Sequence, residues 1–410
     1  MLNESYIERR MFVTFFALFP LMLALPFGMD IFVPAVPHIT SEFQTTDAIM
    51  QSTLNLFMIT TGVMQLWIGP YSDRAGRLTP SLLCALCFAI GCVICALSTS
   101  ISILITGRII QAIGAGGLLM LGNAIARDLY AGEKLAKVYS GLNGVVAFSP
   151  LFAPFIGAYL DVYYGWQSTF WSLLLIPIMV VLIYCPILGE TLGPKKRLHT
   201  DSSIIEIYRG ILSNQKFFYY TLSGCFGMSY FFIFCTMSPI IIIKLLHLPE
   251  LVYGFYFAFM GTSFMIGSIL CALVVGRAGI YKTCLIGFII SGIGGVWALI
   301  WHLIYGLSIN NFVFPMLLMG IGGVFNMGAG GAGAMTPFGQ ISGYASALSQ
   351  SMRFLYAGFL GILIANHIHS VLPLALPAII HCLLGMMIFV YHPKTLEINK
   401  NTTKEFRIDH

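Results

Sequence analysis

Apolar runs of about 20 residues, the length of helix that crosses the hydrocarbon core of a bilayer, recur along almost the whole chain and decide what it can fold into. Twelve are predicted as spans, near residues 12–37, 48–70, 80–99, 102–126, 137–160, 167–189, 217–243, 251–275, 283–304, 312–335, 340–366 and 371–391. With 58% of residues apolar and 9% charged, against about 25% charged in soluble domains, the chain reads as an integral membrane protein. The first run is longer than the apolar core of a cleavable signal and lacks an A-x-A site, so it is predicted to remain as the first span.

The charges orient these spans, because short cytoplasmic loops hold the excess of Lys and Arg. With the N-terminus inside, every Lys and Arg falls on the cytoplasmic side except Lys244, which falls outside, and Arg108 and Arg353, which fall within spans. The net charge of +5 is thus an orientation signal and does not point to nucleic acid. The pairs Cys84/Cys87 and Cys92/Cys95 have C-x-x-C spacing, but no histidine or acid stands beside them. They read as small lipid-compatible residues rather than a metal or redox site.

Two halves are predicted: a six-helix bundle over 1–190, a cytoplasmic linker over 191–215 and a second six-helix bundle over 216–410. Apolar residues at helical spacing in Ser202–Leu212 suggest a short helix on the membrane surface. Asp73-Arg-Ala-Gly76 is echoed by Gly276-Arg-Ala-Gly279, and Ile113-Gly-Ala-Gly-Gly117 by Ile321-Gly-Gly323. Parallel repeats of six spans are the architecture of two-bundle transporters.

After the second span comes Gly69-Pro-Tyr-Ser-Asp-Arg-Ala-Gly-Arg77, an acid and two bases in a short reversing turn. It closely resembles the G-x-L-x-D-R-x-G-R signature of the major facilitator superfamily. The resemblance implies an all-α membrane protein of twelve transmembrane helices in two pseudo-symmetric bundles, and a latch at the cytoplasmic helix ends that locks the outward-open state. Asp73 and Arg77 take that role by resemblance, with Arg74 in support and Asp128, at the inner end of the fourth span, as partner. A plain positive-inside loop is the alternative. In the second half Gly276 stands where Asp73 does, so any matching lock is expected to be weaker.

Arg108-Ile-Ile-Gln-Ala-Ile-Gly114 is similar to the family's R-x-x-Q-G-x-G motif, with Ala112 for its first glycine. An arginine inside a span is costly and marks a functional site by default. Arg108 lies roughly 10 Å into its span and Asp30 about 28 Å along the first span from Met11, so both reach the outer third of the membrane and can meet. Asp30 is read as the one acid well inside a span, beside prolines that break the helix ladder, an irregularity tolerated where backbone lines a cavity. Burial and a nearby arginine act on such a carboxyl in opposite senses, as suits a proton carrier. A structural Asp30–Arg108 ion pair is the alternative.

Asp30-Ile-Phe-Val-Pro-Ala-Val-Pro37, Asn55 and Gln65, Gly165-Trp-Gln-Ser-Thr-Phe-Trp171 and Gly189-Glu-Thr-Leu192 closely resemble the bicyclomycin-resistance type (Bcr/CflA) of drug:proton antiporter, more loosely so in the second half. Ser149-Pro-Leu-Phe-Ala-Pro-Phe-Ile-Gly157 resembles the exporter motif G-P-x-x-G-G, with Ser149 and Ala153 in place of glycines. Pro150 and Pro154 fall on one helix face and bend it the same way, an ordinary kink being the plainer reading.

That template leaves Arg353 unexplained, on the order of 20 Å along the eleventh span and near the midplane. Asp30 sets one negative charge against Arg108 and Arg353, so the buried charge is net positive and a neutral or anionic substrate is expected. An Arg353 bound to span carbonyls is the alternative. Asn55, Gln111, Asn123, Asn143 and Asn326 are candidate polar contacts to substrate. The run Met327-Gly-Ala-Gly-Gly-Ala-Gly333 reads as close helix packing rather than phosphate binding. His302, His367, His369 and His381 read as interfacial polar residues near span ends, with a secondary proton site as the alternative.

The expected function is proton-coupled export of a small molecule by a monomer in the bacterial inner membrane, both termini cytoplasmic, with the proton as coupling ion and no cofactor. The rival reading is a proton-coupled importer of an anionic nutrient or carboxylate-type siderophore. A membrane enzyme or sensor finds no support in H-E-x-x-H or G-x-S-x-G motifs, which the sequence lacks.

Overall fold

Without water in the bilayer core, a chain this apolar must satisfy its backbone groups internally. The computed structural model describes residues 4–130, 132–192, 204–338, 341–367 and 370–392, and every regular element among them is helical. The first half supplies α1 (Glu4–Asp30), α2 (Asp47–Ala75), α3 (Leu78–Ala96), α4 (Ile101–Leu129), α5 (Gly132–Tyr164) and α6 (Gln167–Ile187). The second supplies α7 (Gln215–Leu245), the double-length helix Glu250–Tyr305, then α10 (Ile309–Met335), α11 (Ser342–Ile364) and α12 (Leu372–Tyr391). Glu250–Tyr305 breaks at Gly279, whose φ is 78°, into the arms α8 (250–278) and α9 (280–305).

Ten helices among the described residues are long and apolar enough to cross a bilayer. One of them is the double-length helix, and α2 falls outside that composition although it has 29 residues. The path therefore makes twelve crossings.

The chain divides into two compact units, Met1–Asp201 and Ser202–His410. The short helix Ile204–Leu212 opens the second with Ile205 exposed and Ile211 buried, while the Lys195-Lys-Arg197 run lies outside the described residues.

Small residues let the helices of each unit approach. A Cβ on Gly114 of α4 would overlap the Cys84 carbonyl and the Phe88 backbone of α3, and Cys84 Sγ packs directly on Gly117. The cysteines of α3 are free, with Cys84, Cys92 and Cys95 buried, and serve as this kind of filler. In the second unit Gly227 of α7 meets Gly323 of α10, and Gly330 and Gly333 lie against the α7 backbone and the Tyr220 ring. The glycine run of α10 is thus a packing surface.

One helix ends early. Pro34 lacks the N–H that would bond the Asp30 carbonyl, so α1 stops at Asp30 and the chain passes through a tight turn, Val33–Ala35, into the short helix Val36–Glu42.

Gly114→Val is expected to force α3 and α4 apart and destabilise the protein by about 1–3 kcal/mol or more. At Gly276 no atom lies within reach of an added Cβ, and Gly276→Ala should be neutral to stabilising by about 0.5–1 kcal/mol. Thermal unfolding of the two variants in detergent, followed side by side, checks the contrast.

Candidate functional site

The break after Asp30 strips the last carbonyls of α1 of helical partners, and Arg108 of α4 takes one of them. Its Nη1 donates to the Gly28 carbonyl at 2.7 Å and to Gln111 Oε1 at 2.6 Å. The rings of Phe32 and Phe57 lie 4.7 and 4.2 Å from its Cζ, within cation–π range. Asp30 turns to α5 instead. Its Oδ2 accepts the Ser149 hydroxyl at 2.8 Å, and its Oδ1 has no hydrogen-bond partner.

No ion pair joins Asp30 to Arg108, although both are buried and Gly28 is only two residues from Asp30. The structural ion pair entertained from the sequence is absent. A buried carboxyl with one open oxygen, near a cation held by other contacts, can gain or lose a proton without dismantling a salt bridge.

The surroundings of Asp30 give the candidate polar contacts different settings. Gln111, read as a substrate contact, accepts from Arg108 with Oε1 and donates to Cys92 Sγ at 3.1 Å with Nε2, so it holds the arginine in place. Asn123 binds its own helix through the Leu119 carbonyl at 3.2 Å, and Asn143 is exposed on α5. Asn55 remains a candidate, because it is buried with Oδ1 unpartnered, and Gln65, not among the candidates read from the sequence, is buried with both amide atoms unpartnered.

Pro150 and Pro154 are buried on one face of α5, which runs unbroken through both. The residues Ser149, Ala153, Gly157 and Asp161 recur every four positions along that helix, and Gly157 sits directly on the Ile31 carbonyl at the broken end of α1. Asp161, a second acid buried within the span, pairs with His38 Nδ1 at 2.8 Å. Sequence reasoning missed both Ser149 and Asp161, and their four-residue spacing was the signal that could have found them.

At the α2–α3 turn the charges converge on Arg77. Its Nη2 meets Asp73 Oδ1 at 2.7 Å, its Nε and Nη2 fork onto Asp128 at 2.7 and 3.3 Å, and its Nη1 donates to Ser72 Oγ at 2.6 Å. Gly76, at φ 95°, supplies the backbone conformation that brings Arg77 back over α2. Burial disfavours the guanidinium charge, but Asp128 and Asp73 outweigh it and raise its pKa above the ordinary arginine value. The cation therefore persists through any working pH and would be lost only in strong base.

Two details differ from expectation here. Arg74 is exposed and joins none of these contacts. Glu190 accepts the backbone N–H groups of Arg77, Leu78 and Leu192 at 2.8, 3.3 and 2.9 Å, capping the start of α3 from the far end of the unit.

In the second unit Arg353 of α11 reaches over Gly224 of α7 and Gly331 of α10, where added Cβ atoms would lie 2.5 and 2.9 Å from its guanidinium. No carbonyl or acid among the described residues pairs with it, and its Nε is buried without a partner. Asn326 is buried nearby in sequence on α10, accepting Ser223 Oγ at 3.3 Å while its Nδ2 has no partner. His381 is not interfacial. It lies buried at the middle of α12, hydrogen-bonded to Tyr356 at 2.6 Å. His369 lies outside the described residues.

Twelve crossings in two units, with an open carboxyl buried in one and, among the described residues, a guanidinium without a counter-ion in the other, are the build of a secondary transporter. The chain belongs to the Major Facilitator Superfamily, whose sequence profile matches residues 18–362. It is 29% identical over 383 residues to a chloramphenicol resistance protein of Pseudomonas aeruginosa, covering 90% of this chain and 87% of that one. It is also 24% identical over 368 residues to a bicyclomycin resistance protein homolog of Haemophilus influenzae, covering 88% and 90%. Among solved structures, a bacterial homolog of the human lysosomal transporter Spinster, in an inward-facing and occupied conformation, superposes with a TM-score of 0.71 at 16% identity, covering 96% of this chain and 98% of that one. This last likeness speaks for the fold.

Arg77→Ala would leave Asp73 and Asp128 facing each other unpaired and is expected to cost about 3–5 kcal/mol. The exposed Arg74→Ala should stay within about 0.5 kcal/mol. Unfolding temperatures of both variants, measured in the same lipid, read the difference.

Proposed function

We propose that this protein is a proton-coupled antiporter of the bicyclomycin-resistance type, exporting neutral or anionic small molecules across the bacterial inner membrane with both termini in the cytoplasm. The observation that carries the reading is Asp30, a buried carboxyl with one oxygen on Ser149, the other open, and no salt bridge to hold its charge. Such a group can serve as the coupling proton's carrier, with Arg108 fixed beside it as a neighbouring positive charge. Alternating access needs an element that exists in one state and opens in the other, and the Arg77–Asp73–Asp128 cluster supplies one at the α2–α3 turn.

The names of the relatives, resistance to chloramphenicol and to bicyclomycin, favour export over the rival import of an anionic nutrient. Arg353, half-buried, seated between glycines and without a counter-ion among the described residues, favours a substrate that is not cationic, because an uncompensated guanidinium repels a second positive charge.

Inverted membrane vesicles given an acid interior should accumulate chloramphenicol, and Asp30→Asn should reduce that to the level seen without a pH gradient while leaving equilibrium binding in place. Full gradient-driven accumulation by Asp30→Asn would remove Asp30 from its role, and expulsion rather than uptake under an acid interior would reverse the direction. Arg353→Gln is expected to lose transport of anionic compounds selectively, with neutral ones moved as by wild type.

A further inference from the structure

The chain that follows α1 has little regular backbone to hold it. Pro34 and Pro37 lack the N–H groups that would tie it to the turns before them, and its regular pieces are the tight turn Val33–Ala35 and the seven-residue helix Val36–Glu42. One face of α5 sets its position instead. Ser149 donates to Asp30 Oδ2 at 2.8 Å, Gly157 lies against the Ile31 carbonyl and the Pro34 ring, and Asp161 Oδ1 accepts from His38 Nδ1 at 2.8 Å. The contacts come in the same order along both stretches, so the segment runs beside α5 from Asp30 to His38 and is held at both ends.

The two ends are held differently. At Asp30 the tie is one serine hydroxyl, and the middle contact is packing on a glycine, which has no side chain to stop the segment sliding. At His38 the tie is a ring N–H on a buried carboxylate, a charge-assisted hydrogen bond that Nδ1 can donate in either charge state of the imidazole. Glu42 stands 3.9 Å from His38 Nε2, and its Oε2 accepts the indole N–H of the buried Trp166, just before α6, at 2.6 Å. Phe32, between the two ends, packs on Phe170 of α6 at 5.3 Å and lies 4.7 Å from Arg108 Cζ. A shift of this segment would thus take Asp30 off Ser149 and Phe32 off Arg108 together.

We propose that His38 and Asp161 are positioning residues for Asp30: their contact pins the far end of the segment to α5, and the pin keeps the Asp30 carboxyl on Ser149. This rests on Asp30 as the proton carrier. The pair acts on Asp30 only through the segment between them. With the pin released, the segment slides on the glycine face, the carboxyl leaves the serine hydroxyl and coupling falls, since about 1 Å of misplacement can cost about a hundredfold where geometry carries the chemistry.

The C=O stretch of protonated Asp30 reports its hydrogen bonding directly. Infrared difference spectra of the full chain in lipid nanodiscs, taken between acid and neutral pH, contain this band, which Asp30→Asn identifies by its loss. Ser149→Ala gives the band's position without the serine. His38→Leu, which keeps bulk at an exposed place and donates nothing, should move the band to that position. It should also lower gradient-driven chloramphenicol accumulation about tenfold or more, with equilibrium binding unchanged. His38→Asn, whose amide N–H stands close to the place of Nδ1, should restore both. Asp161→Val removes the contact from the other side and should match His38→Leu. A wild-type band in folded His38→Leu and Asp161→Val, whatever their unfolding temperatures, overturns the pin and leaves Asp30 in its role. Failure of His38→Asn to restore the band assigns the effect to packing and overturns the pin as well. A wild-type protein with no Asp30 band overturns the reading of Asp30 and the pin with it.

Discussion

Water is absent from the hydrocarbon core, so every backbone polar group placed there must find its partner within the protein. That demand explains why α1 can break at Asp30. The prolines after it remove backbone donors, the last carbonyls of the helix are exposed, and Arg108 arrives from α4 to cover the Gly28 carbonyl. The arginine's own charge is then eased by Phe32, which lies just past the break, and by Phe57. Because the guanidinium is committed to carbonyl, amide and rings, Asp30 is left to Ser149 and keeps one oxygen open. One irregularity of the backbone thereby places a cation and an unpaired acid close together without joining them.

The two units share a plan and differ in where their charges lie. Gly76 and Gly279 both adopt positive φ at the turn after the second helix of each unit, so the turn itself survives in both. The charges do not. Arg77 is surrounded by Asp73, Asp128 and Ser72, whereas Ile280 follows Gly279 as Arg77 follows Gly76 and Gly276 replaces Asp73. The second unit instead carries Arg353 on α11, half-buried against α7 and α10, where two glycines make room for it. A turn that reverses the chain needs only a permissive glycine. A charged cluster needs every member, and once one is lost the remaining buried charges are a liability.

Much of this was legible from the residues alone. Continuous apolar runs of about 20 residues mark helices because a spanning β-strand is shorter and alternates its faces, and the crossings follow directly. Arg77, Asp73 and Asp128 were legible because acids and bases are scarce in such a chain and a fixed turn puts them within reach. The roles of single polar side chains were harder to read. Gln111 and Asn123 look like substrate contacts in a list of polar residues within spans, yet one binds Arg108 and the other its own helix. His381 reads as interfacial from an approximate span end, while α12 carries it to mid-helix. Glu190 lies more than a hundred residues from the helix start that it caps, a separation that no local pattern bridges.

The sequence by itself determined that this chain crosses a membrane twelve times, in two related halves, with Asp30, Arg108 and Arg353 as charges too costly to bury idly. Hydropathy, proline and glycine act over a few residues, and their consequences can be read locally. Only the tertiary structure decided which charge meets which. It set Arg108 on a backbone carbonyl instead of on Asp30, put Ser149 under the carboxyl, left Arg353 without a counter-ion among the described residues and joined His381 to Tyr356. Those outcomes depend on ångström differences in how separate helices face one another, and a side chain's partner in a low-dielectric interior is whichever group packing brings within hydrogen-bond reach.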